Sequence, residues 1–185
     1  HSMGGKALMH FALINPERIR KMIVVDISPR SYKSLQNPTP DTLEILNIMS
    51  ALRSLETQTL QSREEADAQL KTILTDKNLR SFLLKNLRRN AGNSFEWSFN
   101  LETLYRSLPE ILDGIESKHT AASSDIKTLF IRGSRSGYIN DNDIQDIRSL
   151  FPNSRIHTIA NAGHWVHAEQ PEHFVEAVKE FLASE

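Results

Sequence analysis

The chain has 185 residues, 39% of them hydrophobic and 24% charged, with a formal net charge of -1. That is enough apolar chain for a folded core and argues against disorder, while the near-neutral balance gives no general electrostatic pull toward nucleic acid. Cysteine is absent, which excludes disulfide frameworks, thiolate nucleophiles and zinc-thiolate sites, and no apolar run approaches the roughly 20 residues of a membrane-spanning helix.

Residues 6–13 favour helix, ended at Asn15-Pro16 because proline disfavours the helical region for the residue before it. Met22-Ile23-Val24-Val25-Asp26-Ile27, closed by Ser28-Pro29, is apolar and β-branched and predicts a buried parallel strand. From 38 to 118 the alternation of helix and strand breaks. Leu43, Leu46 and the stretch 48–52, then Leu70, Ile73 and Leu74, then Leu79, Phe82, Leu83 and Leu87, then Leu101, Leu104, Tyr105 and Leu108 recur at helical spacing and predict an inserted helical layer. The basic run Lys85-Asn86-Leu87-Arg88-Arg89 reads as a solvated helix face. Phe95, Trp97 and Phe99 alternate as a short strand or extended corner would; such aromatics either anchor a core, the commoner fate, or line a pocket. Strands follow at 126–131, ahead of Gly133, and at 155–159, with a helix between them over 143–150 and a closing helix that Pro171 opens and that runs to about 182. Taken together this is an open α/β sheet pattern in three segments: 1–37, the helical layer 38–118, and 119–185.

His1-Ser2-Met3-Gly4-Gly5 lacks only a preceding glycine to complete the strand-to-helix turn G-x-S-x-G. On such a turn the backbone is strained and the serine hydroxyl is pushed out at the top of a sheet, and glycines are needed so that neighbouring backbone does not collide. The Met3 backbone N–H would face a developing oxyanion at the head of the following helix, whose dipole favours negative charge. Asn161-Ala162-Gly163-His164-Trp165 stands after the third strand, on a loop at the sheet's C-terminal edge where a general base for serine belongs. His164 completes the chain order serine, acid, histidine. For the acid, the loop after the later strand reads Gly133-Ser134-Arg135-Ser136-Gly137 and offers none, whereas Asp26 lies in an otherwise apolar run, where a lone carboxylate is costly unless paired. A strand-end cap is the other role open to Asp26, and Asp141 or Asp143 would reach the site from a loop. Asp141-Asn142-Asp143-Ile144-Gln145-Asp146 has a calcium-loop flavour but no central glycine, and Pro152 stands where the bidentate Glu belongs. His164 and His167 have no H-E-x-x-H or third ligand beside them, so no metal is expected.

These residues resemble a known family, the YbfF-type acyl esterases of bacteria and their mitochondrial relative, abhydrolase-domain-containing protein eleven. The resemblance runs from His1-Ser2-Met3-Gly4-Gly5-Lys6-Ala7, through Val25-Asp26-Ile27-Ser28-Pro29, to Ala162-Gly163-His164-Trp165-Val166-His167-Ala168-Glu169. It implies the C-terminal part of an α/β-hydrolase sheet with an inserted helical cap over an acyl pocket, the acid after the sixth strand corresponding to Asp26, and a serine after the seventh corresponding to Ser136. The expected activity is cleavage of small acyl esters or thioesters through Ser2, Asp26 and His164, with Met3 N–H at the oxyanion, Phe95, Trp97 and Trp165 as pocket candidates, and no cofactor. Acyl transfer to an alcohol would use the same residues. Family members carry a half-domain ahead of the serine, with a loop supplying a second oxyanion N–H. The expectation is therefore a fragment, or a non-catalytic or split half whose sheet a partner chain completes. A cytoplasmic location is expected, with the mitochondrial matrix as the alternative.

Overall fold

The computed structural model describes residues 1–33, 39–115 and 124–184. Among these the elements are, in chain order, α1 (Met3–Ile14), β1 (Lys21–Val25), α2 (Pro40–Ser54), α3 (Arg63–Leu70), α4 (Lys77–Leu83), β2 (Leu87–Arg89), β3 (Phe95–Trp97), α5 (Leu101–Arg106), α6 (Leu108–Leu112), β4 (Lys127–Gly133), α7 (Asp143–Leu150), β5 (Ser154–Ile159), α8 (Val166–Glu169) and α9 (Pro171–Ala183). They make two compact units, His1–Tyr32 with Asp113–Glu185, and Lys33–Leu112. The expected boundaries at 37/38 and 118/119 lie outside the described residues.

In the first unit a parallel sheet runs in the order β1-β4-β5. Val25 stands opposite Ile131, and Gly133 opposite Ile159, so the C-terminal ends of all three strands share one edge. Covered on both faces, β4 buries four consecutive residues, Thr128, Leu129, Phe130 and Ile131. On one face Val25, Leu129, Ile131 and Ile159 pack with Ala162, Val166, Ala177 and Phe181 from the segment after β5 and from α8 and α9. The other face takes α1. A Cβ on Gly5 would meet Ile27 Cγ2 at 2.6 Å and Val24 Cγ1 at 3.1 Å, so a glycine there is what lets the helix lie close against β1. Gly4, the glycine of the turn motif, has nothing within 4 Å of where its Cβ would stand; the steric demand in this chain falls one residue later than the motif suggests.

The first strand ends two residues before its apolar run does. Asp26 N–H still donates to Ile131 O at 2.8 Å, but Asp26 then adopts φ 51° and turns the chain away. Asp is among the few side chains that tolerate this region. The strand end and the carboxylate it carries are thus placed by one residue.

The second unit has its own core, built from Ala51, Leu52, Leu55, Leu60, Ala66, Leu70, Leu74, Leu84, Leu87, Phe95 and Leu101. Its helices begin at side-chain caps: Thr39, Ser62, Asp76 and Asn100 accept from backbone N–H groups of the first turns of α2, α3, α4 and α5. Here the helical reading holds through Leu83 and needs correction at 87–89. After α4 one 3-10 turn spans Leu84–Asn86, and Leu87–Arg89 then pairs antiparallel with Phe95–Trp97. Arg88 and Arg89 are solvated as expected, but on a hairpin strand, where Arg88 pairs with Glu96 at 3.0 Å. Spacing alone favoured a helix; the turn 90–93, with Asn93 at φ 65°, reverses the chain instead.

Two consequences are measurable. At Gly133 a Cβ would run into the carbonyl oxygens of Ala162 and Gly163, so Gly133→Ala is expected to lower stability by about 1–3 kcal/mol, read as a fall in the thermal midpoint. An unchanged midpoint would mean that the loops there are not held together.

Lys6, buried on α1, donates to Asp113 O and lies over the Tyr32 ring; burial pushes its pKa down to about 8, with Asp113 opposing and Arg30 adding to that shift. Between pH 8 and the ordinary value of 10.5 the unfolded chain holds more protons at this site, so Lys6's contribution to stability rises with pH across that window. Urea unfolding of the wild type against Lys6→Met should show a stability difference that is flat below about pH 7 and moves in the wild type's favour above pH 8. A pH-independent difference would count against a depressed Lys6.

Candidate active site

Ser2 precedes α1 at φ 51° and ψ -130°, a strained combination for a residue with a side chain. What over-determines it is local: its N–H donates to Val25 O at 3.1 Å, and its C=O accepts from Gly5 N–H and Lys6 N–H at 2.7 and 3.2 Å. Gly4 N–H turns back to His1 O, whereas Met3 N–H has no acceptor among the described residues.

Asp26 is fully buried. Its Oδ1 accepts from Gly133 N–H at 3.0 Å; its Oδ2 accepts from Ser136 Oγ–H and lies 2.8 Å from Nδ1 of His164. A carboxylate there fixes the imidazole proton on Nδ1 and leaves Nε2 as the acceptor. Asp141 and Asp143, the two acids where the neighbouring loop enters α7, are engaged elsewhere. Asp141 pairs with Arg132 at 2.8 Å, and Asp143 with Arg30 at 3.1 Å while accepting from Asn140 N–H at 2.8 Å.

His164 stands on the loop after β5. The Tyr138 ring stacks on its imidazole at 4.0 Å between centroids and 26° between planes. His1 lies beside it, with ring centroids 4.5 Å apart and Nε2 donating to His164 O at 2.9 Å. Trp165 is half-buried, its ring 5.2 Å from His1 and 6.0 Å from His164. The start of the chain and the 164 loop are therefore neighbours, and Ser2, Asp26 and His164 belong to the same edge of the sheet. His167 makes ring contacts with His1 and Phe174 and takes no part in a metal cluster; among the described residues no group of three or more His, Asp or Glu is placed to hold an ion.

The remaining pocket candidates sit in the second unit. Phe95 is part of that unit's core, and Trp97 packs against the same core while stacking on Phe99 at 5.9 Å. A cleft of about 280 Å³ in this unit is lined instead by Leu46, Leu108, Pro109, Leu112 and Tyr105, with Lys33 and Arg106. Tyr138 and Glu169 carry no motif of their own in the sequence. Tyr138 follows the loop serine by two residues, and Glu169 follows His164 by five, so the only signal was proximity in sequence to residues already chosen.

Residues 1–171 match the alpha/beta hydrolase fold family. The chain is 37% identical to the mouse sn-1-specific diacylglycerol lipase ABHD11, covering 99% of this chain and 57% of that protein, and 33% identical to esterase YbfF of Escherichia coli, covering 98% and 65%. Among solved structures, a marine microorganism esterase superposes with a TM-score of 0.93 at 35% identity, over 98% of this chain and 67% of the other. The chain thus spans 57% and 65% of the length of these two relatives, both carboxylic-ester hydrolases by name. No helix among the described residues is long and apolar enough to cross a membrane. With its parallel sheet, flanking helices and this match over nearly its whole length, the chain belongs to the alpha/beta hydrolase fold family and corresponds to part of its esterase and lipase members.

Proposed function

We propose that this chain carries the nucleophile, acid and base of a serine hydrolase that cleaves acyl esters or thioesters. One observation carries the reading: the Asp26 carboxylate is sealed from water and within 2.8 Å of His164 Nδ1. A carboxylate so deeply buried is costly unless every oxygen is satisfied, and here the donors are two fixed groups and an imidazole. Such a carboxylate holds the ring in one tautomer and stabilises the imidazolium when it forms.

In the proposed reaction Ser2 Oγ attacks the acyl carbonyl carbon as its proton passes to Nε2 of His164, and Met3 N–H stabilises the oxyanion. The bond to the leaving oxygen or sulfur breaks, and the leaving group takes that proton. Water then gives a proton to Nε2 and attacks the acyl-serine, releasing the carboxylic acid and returning the proton to Ser2. An oxyanion hole of this kind uses a second N–H besides that of the residue after the nucleophile. We assign that donor to residues of the full-length protein, or of a partner chain, that complete the sheet. An apolar acyl group is the proposed substrate class, in keeping with the lipase among the relatives.

In the full-length enzyme a fluorophosphonate probe should label Ser2, and Ser2→Ala should lose both labelling and ester cleavage; labelling of a different residue in folded protein overturns the assignment. Asp26→Asn is expected to lower kcat by about 10⁴-fold, with the fold retained. Ser136→Ala, which removes one of three partners, should cost about 10-fold. Full activity in Asp26→Asn, with the large loss found instead in Asp141→Asn or Asp143→Asn, would sink the choice of acid.

A further inference from the structure

The hydrogen bonds around the imidazole account for its ring, and its backbone, on a loop between β5 and α8, accepts from His1 Nε2–H at the carbonyl. That backbone is held from one side by a single carboxylate. Oε2 of Glu169, the last residue of α8, accepts from Gly163 N–H at 2.9 Å, and Oε1 approaches Trp165 N–H at 3.3 Å. The two peptide groups bracket His164. Gly163 makes the approach possible, because a Cβ there would stand 2.9 Å from Oε1. The loop also closes on itself through Glu169 N–H to Trp165 O at 2.9 Å.

The same carboxylate reaches the neighbouring loop. Arg135 Nη2 pairs with Oε2 at 2.9 Å, and Arg135 N–H donates to Ala162 O at 2.9 Å. Asn161 N–H donates to Ser134 Oγ at 2.9 Å. Arg135 precedes Ser136, which holds Asp26. The loop that steadies the acid and the loop that bears the base are thus joined at Glu169.

Resting on the triad reading above, we propose that Glu169 is a positioning residue: its carboxylate clamps the peptides on either side of His164, sets the imidazole against Asp26 and Ser2, and ties both loops into one ledge. It touches no reacting atom. Displacing a reacting group by about 1 Å can cost on the order of 10²-fold in rate, which makes a backbone clamp matter to turnover. Most of the effect belongs to the two backbone bonds. The Arg135 side chain is 64% exposed, so the ion pair is screened and secondary.

The test uses the full-length enzyme with Glu169→Gln, Glu169→Ala and Arg135→Gln. Gln keeps the size but replaces one acceptor oxygen with an NH₂ that cannot accept. We expect kcat to fall about 10-fold in Glu169→Gln and about 100-fold in Glu169→Ala, with KM and the thermal midpoint close to wild type, and a smaller loss in Arg135→Gln. The downfield proton resonance of His164 Nδ1–H should be sharp in the wild type and broadened or lost in Glu169→Ala. Ser2→Ala serves as the control: cleavage retained there overturns the triad reading, while the resonance still reports on Glu169 by itself. The clamp is overturned if both Glu169 variants keep kcat within twofold and the resonance unchanged. It is equally overturned if kcat falls only in step with KM and the thermal midpoint while the resonance stays sharp, which is what a general structural role would give.

Discussion

The carboxylate of Asp26 is the constraint on which the first unit depends. It is removed from water altogether, and an ionised group in that position persists only with its oxygens satisfied. Its partners come from three places: the backbone of Gly133 at the end of β4, the hydroxyl of Ser136 on the following loop, and His164 on the loop after β5. For the three to converge, β1, β4 and β5 must keep their register and both loops must fold back over the strand ends. A one-residue slip would turn every inward side chain outward and break the site together with the core.

The turns at that edge are tight, and the backbone records it. Ser2, Asp26 and Asn161 all take positive φ at or beside strand ends. For Asp and Asn this costs little, but for Ser2 the cost is greater, and it is held there by bonds to Val25, Gly5 and Lys6. Close approach is managed by absence of side chains: Gly133 lies against the carbonyls of 162 and 163, and Gly163 lies under the Glu169 carboxylate. These glycines serve contact rather than φ, since no glycine among the described residues takes positive φ.

Strong periodicity was legible in the sequence: the helices at 143–150 and from Pro171, and the buried run at 126–131, follow from patterns that only one arrangement satisfies. The 87–89 segment was not, because leucines three and four apart fit a continued helix equally well, and the hairpin was decided by a turn and a cross-strand pair. Of the site, His164 could be picked by its place after a strand. For the acid, a lone carboxylate in an apolar run favours Asp26 over Asp141 and Asp143, while its partners are properties of the folded chain. Glu169 and Tyr138 were invisible for a different reason. One acts on peptide N–H groups and the other through the face of a ring, and neither mode leaves a spacing that a sequence pattern can detect.

Tyr138 reaches the imidazole because its own backbone is pinned from below. The Tyr32 hydroxyl donates to Tyr138 O at 2.5 Å and accepts from Ser28 N–H at 2.9 Å, in a buried position next to the turn that follows Asp26. Burial pushes the Tyr32 pKa up, more than its bonds to Ser28 and the nearby Arg30 lower it, so the phenol stays a donor throughout the range in which histidine titrates. Arg30, over the Tyr32 ring at 4.2 Å, also donates to Gly137 O at 2.9 Å. The 136–138 loop is therefore fastened at each residue: Ser136 to Asp26, Gly137 to Arg30, Tyr138 to Tyr32. Each fastening starts from the segment just after β1. One short strand and its turn thus supply the carboxylate and hold the loop whose serine and aromatic ring meet that carboxylate and its histidine.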